Sequence, residues 1–183
     1  LQQLEIFKDL YKDRPIKENI HGMRFQHMFA TFFILKKLNP SFVIESGVFR
    51  GQSTWLIENT LPNADILSID IDLNQREYVS KKVTYSDIDF KYQNFSKIPS
   101  DALVFFDDHV NHYERLMQSK FFNIKNIILE DNYPVKEGDF YSLKHSYNND
   151  GFIHNYSKIS LVKTFGVFLN EILKKIYFKN YIF

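Results

Sequence analysis

The feature that most restricts this chain is a repeated punctuation, in which short apolar runs are each stopped by acids or by a glycine-bounded loop. Ser41-Phe42-Val43-Ile44 runs into Glu45 and a loop from Gly47 to Gly51, and Ile66-Leu67-Ser68-Ile69 runs into Asp70-Ile71-Asp72. Ala102 to Phe106 is stopped by Asp107-Asp108-His109, and Asn126 to Leu129 by Glu130-Asp131-Asn132. Asp89-Phe90-Lys91-Tyr92 reads as a weaker third strand of the set. Runs of this length and composition are strand candidates. Helix-length segments separate them, which implies βαβ units. The expectation is an α/β, Rossmann-like domain with a mostly parallel central sheet and helices on both faces.

The chain of 183 residues suits one domain. Residues 1–40 read as N-terminal helices, 41–135 as a ligand-binding core, and 136–183 as a loop with closing elements. Leu1, Leu4, Ile6, Phe7, Leu10 and Tyr11 give a short helix that breaks at Pro15, and Phe25, Met28, Phe29, Phe32 and Leu35 recur at helical spacing up to Asn39-Pro40. Nineteen Phe and eleven Tyr predict an aromatic core or interface. A net charge of +1 gives no electrostatic reason to expect nucleic acid as a partner. With no cysteine, disulfides and thiolate chemistry are excluded, and a cytoplasmic setting is expected. The longest apolar stretch, Met28 to Leu35, is far short of the roughly 20 residues of a membrane span. The first residues lack a signal-peptide pattern and an initiating Met, so the chain reads as trimmed or as part of something longer. A homo-oligomer is compatible with these features.

Glu45-Ser46-Gly47-Val48-Phe49-Arg50-Gly51-Gln52-Ser53-Thr54 lies between a strand and a helix. Open α/β sheets bind ligands beyond the carboxyl ends of their strands, where glycines let backbone come close and a helix N-terminus offers N–H groups. Asp70 stands nineteen positions after Gly51, about the offset at which an acid accepts hydrogen bonds from ribose hydroxyls. Phe49 occupies the region where a dinucleotide fingerprint needs its middle glycine, which disfavours NAD. S-adenosylmethionine has no pyrophosphate, and Glu45 at the strand end suits the cationic amino acid portion of that cofactor. The same pattern also fits a glycine turn that only packs helix on sheet, with Asp70 as its cap.

Val43-Ile44-Glu45-x-Gly47-x-x-x-Gly51-x-Ser53-Thr54 resembles motif I of the class I methyltransferases, nearest to the macrocin O-methyltransferase and cephalosporin hydroxylase-like branch. The resemblance runs from about Phe42 to Pro134. It implies that the glycine loop, with Glu45, Gly47, Gly51 and Ser53, wraps the methionine portion of S-adenosylmethionine, and that Asp70 holds the ribose. Asn94, in Gln93-Asn94-Phe95, falls where many members contact the adenine amino group.

The fourth and fifth strand candidates should be neighbours, so their acidic tips converge. Oxygen ligands from two tips suit a hard divalent ion such as Mg²⁺, which lowers the pKa of a bound hydroxyl. In metal-dependent relatives an Asp after strand four and an Asp-Asn or Glu-Asp pair after strand five hold the metal. By resemblance the ligands are Asp107, with Asp108 as rival, and Glu130, Asp131 and Asn132. The catechol enzymes of the family carry a lysine base three positions after the strand-four acid. Here Val110 or Asn111 stands there, so the base falls to His109 or, second, His112, since an unperturbed imidazole can exchange a proton near neutral pH.

The family reading is therefore an S-adenosylmethionine-dependent O-methyltransferase acting on a small-molecule hydroxyl, of a sugar or a phenol, with divalent-metal assistance. A cephalosporin hydroxylase-like metal-dependent enzyme and a non-catalytic binding or assembly module of the same fold are its rivals. Tyr141, His145, Tyr147, His154 and Tyr156 fit an acceptor pocket or an exposed loop. Trp55 and Phe49 fit a cofactor cover or core. Ile159 to Phe168 reads as closing strands, and Leu169 to Phe183, with Lys174, Lys175 and Lys179, as a last helix or strand with a solvated basic face.

Overall fold

Asn39 takes a left-handed conformation (φ +46°), and its N–H bonds to the Leu35 carbonyl, closing α2 (Phe25–Leu38) just before Pro40. That stop is legible in the sequence, since Asn tolerates the left-handed region and proline cannot continue a helix. The protein is described from a computed structural model that covers residues 1–134 and 137–147. Its other elements are α1 (Gln2–Lys12), β1 (Phe42–Ser46), α3 (Gln52–Thr60), β2 (Asp65–Ile69), β3 (Val83–Ser86), β4 (Leu103–Phe106), α4 (His112–Phe121), β5 (Asn126–Leu129) and α5 (Leu143–Tyr147). Short 3₁₀ turns occupy Leu73–Gln75 and Phe90–Tyr92.

The five strands form one sheet in the order β3-β2-β1-β4-β5, and every pair is parallel. The chain enters at β1, steps outward to β3, then returns to the other side of β1 as β4. Strand order thus reverses between β1 and β4, the place where open α/β sheets bind ligands. The α/β architecture with a parallel sheet is as expected.

Alternation along the strands sorts the core into two layers. Val43, Ile66, Val83, Leu103 and Phe105 face α1, α2 and α3, meeting Phe7, Met28, Phe32, Leu35, Trp55, Leu56 and Ile57. Phe7 is fully buried there, with the rings of Phe25, Phe29 and Phe32 within 5.4 Å of it. Ile44, Ile69, Val104 and Phe106 face the other way, onto Phe90, Phe95, Phe122 and Ile124. Trp55 and the α2 residues Phe25, Phe29 and Phe32 therefore belong to the core, while Phe33 and Phe49 stay exposed.

One strand expectation is corrected. The third strand is Val83–Ser86, and Asp89-Phe90-Lys91-Tyr92 is instead a capped 3₁₀ turn. Val83-Thr84-Tyr85 has the β-branched and aromatic residues a strand favours. The Asp89 carboxylate accepts the Lys91 N–H, a local bond that competes with extended backbone. The connections from β2 to β3 and from β3 to β4 carry 3₁₀ turns where helices were expected.

Packing divides the chain into two compact units. The first is Leu1–His109 with Glu114–Glu130; the second is Val110–Tyr113 with the described residues from Asp131 onward. The readings for Ile159 to Phe168, Leu169 to Phe183, His154, Tyr156, Lys174, Lys175 and Lys179 lie outside the described residues. Among the described residues no helix is long and apolar enough to cross a membrane.

Candidate functional site

Parallel pairing in register brings four strand ends level. Ser46 pairs with Ile69 on one side and Phe106 on the other, and Phe106 pairs with Leu129. The ladder continues one residue further: Gly47 N–H bonds to the Ile69 carbonyl, Asp70 N–H to Ser86, Asp107 N–H to Ser46, and Glu130 N–H to Phe106. Asp70, Gly47, Asp107 and Glu130 therefore leave the sheet side by side along one rim. The expected convergence of the fourth and fifth strand tips holds for Asp107 and Glu130 of the first unit.

The glycine loop is built by backbone. Gly47 sits at φ +97°, and a Cβ on it would lie 2.0 Å from the Asp107 carbonyl oxygen, so only glycine lets the ends of β1 and β4 meet this closely. Gly51, at φ +89°, is the residue before α3, and a Cβ there would meet the Tyr78 carbonyl at 2.6 Å. One Asp70 oxygen accepts the N–H groups of Val48 and Phe49 at 2.8 and 2.9 Å, and the other accepts from Asp72 at 2.9 Å. The Arg50 carbonyl accepts the N–H groups of Glu77 and Tyr78, both at 3.0 Å, and the Arg50 side chain pairs with Glu77. Asp70 thus organises the loop, the cap role allowed as an alternative.

Glu45 lies in the layer shared with α3. It has no exposed surface, and one carboxylate oxygen accepts from the Thr54 hydroxyl at 2.6 Å and the Ser68 hydroxyl at 2.5 Å. Burial pushes its pKa up, against the opposing hydrogen bonds of Ser53, Ser68 and Thr54. Ser53, itself buried, belongs to this cluster. Asn94 is exposed, and its side-chain oxygen accepts the Ser96 N–H in a local turn.

At the end of β4 the two adjacent aspartates differ. Asp108 accepts from the Ser46 hydroxyl at 2.5 Å and pairs with Arg115 at 2.9 Å. Arg115, on α4, also grips both Asp89 oxygens at 3.1 and 3.0 Å and donates to Gln118 at 2.8 Å. Burial works against both charges. The pair's hydrogen bonds outweigh it, holding Asp89 below the ordinary carboxylate range and Arg115 above its own ordinary value. Asp107 is partly buried, and His109, exposed, takes φ +55°. Glu130 is buried and pairs with His27 of α2.

In the second unit Asp131 has φ +53°, and the Asn132 side-chain oxygen accepts the Lys144 N–H at 2.8 Å, at the start of α5. His112 accepts the Leu143 N–H on Nδ1 at 3.2 Å, and its own N–H bonds to the Tyr141 carbonyl. Tyr141 stacks on His145, which is buried and accepts the Ser142 N–H.

No protein-family model and no curated protein sequence matches this chain. Solved structures do. An SAH-bound structure of CmcI is similar with a TM-score of 0.55 at 16% identity, over 64% of this chain and 66% of the other. An apo structure of CmcI gives 0.54 at 16% identity, over 64% and 57%. The SAH-bound Podospora anserina methyltransferase PaMTH1 gives 0.52 at 12% identity, over 94% and 75%. The match spans less than two thirds of the length of either CmcI structure. The fold is that of the class I methyltransferases.

Within this methyltransferase fold, sequence reading missed Arg115 as the partner of Asp89 and Asp108, His27 as that of Glu130, and the hydroxyls of Thr54 and Ser68 as those of Glu45. Arg115 had a faint signal: His112, Arg115 and Ser119 are the buried residues of α4, at helical spacing. A charge on that stripe has to meet an opposite charge in the interior.

Proposed function

We propose that this chain binds S-adenosylmethionine at its glycine loop and transfers the methyl group to a hydroxyl of a small molecule, a sugar or a phenol. The observation that carries the reading is Gly47, wedged at the strand-order reversal between β1 and β4 with the following N–H groups tied to Asp70. It is supported by SAH in two of the similar structures. Glu45, Gly47, Gly51, Ser53, Asp70 and Asn94 are the proposed cofactor residues. Of these, Asp70, Gly47 and Gly51 shape the loop, whereas Glu45 and Ser53 support it from beneath.

When bound, the cofactor supplies an electrophilic methyl group, so that a C–O bond to the acceptor forms as the C–S bond breaks. What remains for the protein is to align the acceptor oxygen and take its proton. His109 is the proposed base, being an exposed imidazole three residues past the β4 end. A divalent ion would acidify the hydroxyl, and carboxylates are the donors such an ion favours. By the resemblance, Asp107, Glu130, Asp131 and Asn132 are the proposed ligands. Glu130 also pairs with His27, and the Asn132 side-chain oxygen accepts the Lys144 N–H.

Titration calorimetry with S-adenosylmethionine and S-adenosylhomocysteine tests the first step, and label transfer from a methyl-labelled cofactor to a panel of sugars and phenols tests the second. Absence of heat with either ligand, together with an unmoved melting temperature at millimolar concentration, would end this reading. Binding without transfer across the panel would favour the non-catalytic module.

A further inference from the structure

The methyltransferase reading leaves one strongly built feature without a role. Arg115 is 2% exposed, yet its guanidinium faces two carboxylates on different loops. Asp89 opens the 3₁₀ turn after β3, and Asp108 lies two residues beyond β4. The Ser46 hydroxyl at the end of β1 completes the junction by donating to the same Asp108 oxygen that Arg115 engages. The guanidinium carbon stands 5.6 Å from the ring centres of both Phe90 and Phe106, which flank it with apolar surface.

An arginine suits such a junction because its planar fork holds one carboxylate in a bidentate grip while further N–H groups reach others. An ammonium on a flexible stem carries the same charge without that span. Burying an ion network is a weak way to stabilise a fold, since apolar side chains of similar volume often do as well or better. Its position is the informative part. Asp108 is covalently next to Asp107, and the Asp107 carbonyl is the group pressed against Gly47. Any slackening of Asp108 is therefore passed to the residue that shapes the glycine loop.

We propose that Arg115 is a positioning residue: by clamping Asp89 and Asp108 together it fixes the loop after β3 and the loop after β4, and through Asp107 it sets the cofactor loop at Gly47. The inference rests on the cofactor reading given above. It assigns Asp108 to the support of the site and leaves the metal or acceptor contact to Asp107.

The test uses the whole chain with S-adenosylhomocysteine as the probe, comparing Arg115→Lys, Arg115→Met and Asp89→Asn by calorimetry, with thermal melting to establish folding. Arg115→Lys keeps the buried charge and loses the bidentate span. If the role is positional, lysine does not rescue: the folded variant binds the probe about tenfold or more weakly than the parent. Its ligand-free Gly47 amide resonance also moves. If Arg115 only balances charge in the interior, lysine restores binding to within about twofold and the Gly47 resonance stays in place, which overturns the proposal. Should both Arg115 variants fail to fold, Asp89→Asn decides by the same two readouts, since Asp89 is partly exposed. A parent chain that binds no probe at all refutes the cofactor reading itself, whereas a binding parent with equally binding variants refutes the positioning role alone.

Discussion

Replacing Gly47 with alanine is the sharpest test of how the rim is assembled. Two separate penalties apply. The backbone stands at φ +97°, where an L side chain costs roughly 1–2 kcal/mol. The new methyl would lie 2.0 Å from a backbone carbonyl oxygen and 2.4 Å from its carbon, both of Asp107. Ordinary contacts between such atoms are about 3.5 Å, so the end of β4 must move by more than about 1 Å, an overpacking that typically costs 1–3 kcal/mol. Together the loss is about 2–5 kcal/mol, and for a chain of this size each kcal/mol lowers the melting temperature by roughly 2–4 °C. Gly22→Ala is the matched control. Its added carbon would come within 2.2 Å of Asn19 Nδ2, which is as close, but that atom is the end of a flexible side chain and Gly22 is outside the left-handed region. A cost under about 1 kcal/mol is expected there, because the amide can swing away. Thermal and urea unfolding monitored by circular dichroism compare the two. If Gly47→Ala melts with the parent, or no lower than Gly22→Ala, the close approach of β1 to β4 is not the constraint argued above.

Three further outcomes are expected. Glu45 has a raised pKa, so the folded state holds its proton more tightly than the unfolded chain, and its contribution to stability is lost as pH rises from about 4.5 through the raised value. Glu45→Gln removes that loss and should gain on the parent as pH increases; urea unfolding from pH 4 to pH 8 (about four steps) with a constant difference would contradict it. Asp70→Ala leaves the N–H groups of Val48, Phe49 and Asp72 to water or to no partner, and should cost about 1–3 kcal/mol along with cofactor affinity, measured by unfolding and by titration with S-adenosylhomocysteine. Asp131→Ala should retain cofactor binding and lose any methyl transfer that a chelator also abolishes. Transfer that survives both treatments excludes a catalytic ion.

The strand ends were readable because each is marked by a change of chemistry: Ile69 to Asp70, Phe106 to Asp107, Leu129 to Glu130. The loop glycines were readable because positive φ leaves few other residues. Harder to read was where each carboxylate turns. Asp107 and Asp108 are neighbours of identical type, and only the fold shows that Asp108 is engaged by Arg115, 7 positions on in the chain. Glu130 stands beside Asp131 in sequence, and only the fold shows that it also meets His27, 103 positions away. The third strand was misplaced because Phe90 and Tyr92 alternate with polar residues as a strand would, while the decisive event is the capping bond of Asp89. Charged and hydroxyl side chains find partners across long sequence separations, and periodicity does not report them.

The contacts around Arg50 carry a consequence for recognition. Its carbonyl is held by Glu77 and Tyr78, its side chain by Glu77 and the Glu18 carbonyl, and the next residue abuts Tyr78. The segment between the first strand and its helix is thereby pre-organised by a distant stretch of chain. Ordering a free backbone costs about 1–2 kcal/mol per residue. A molecule arriving at this segment meets a shape already set, and keeps for affinity what it would otherwise surrender to immobilising it.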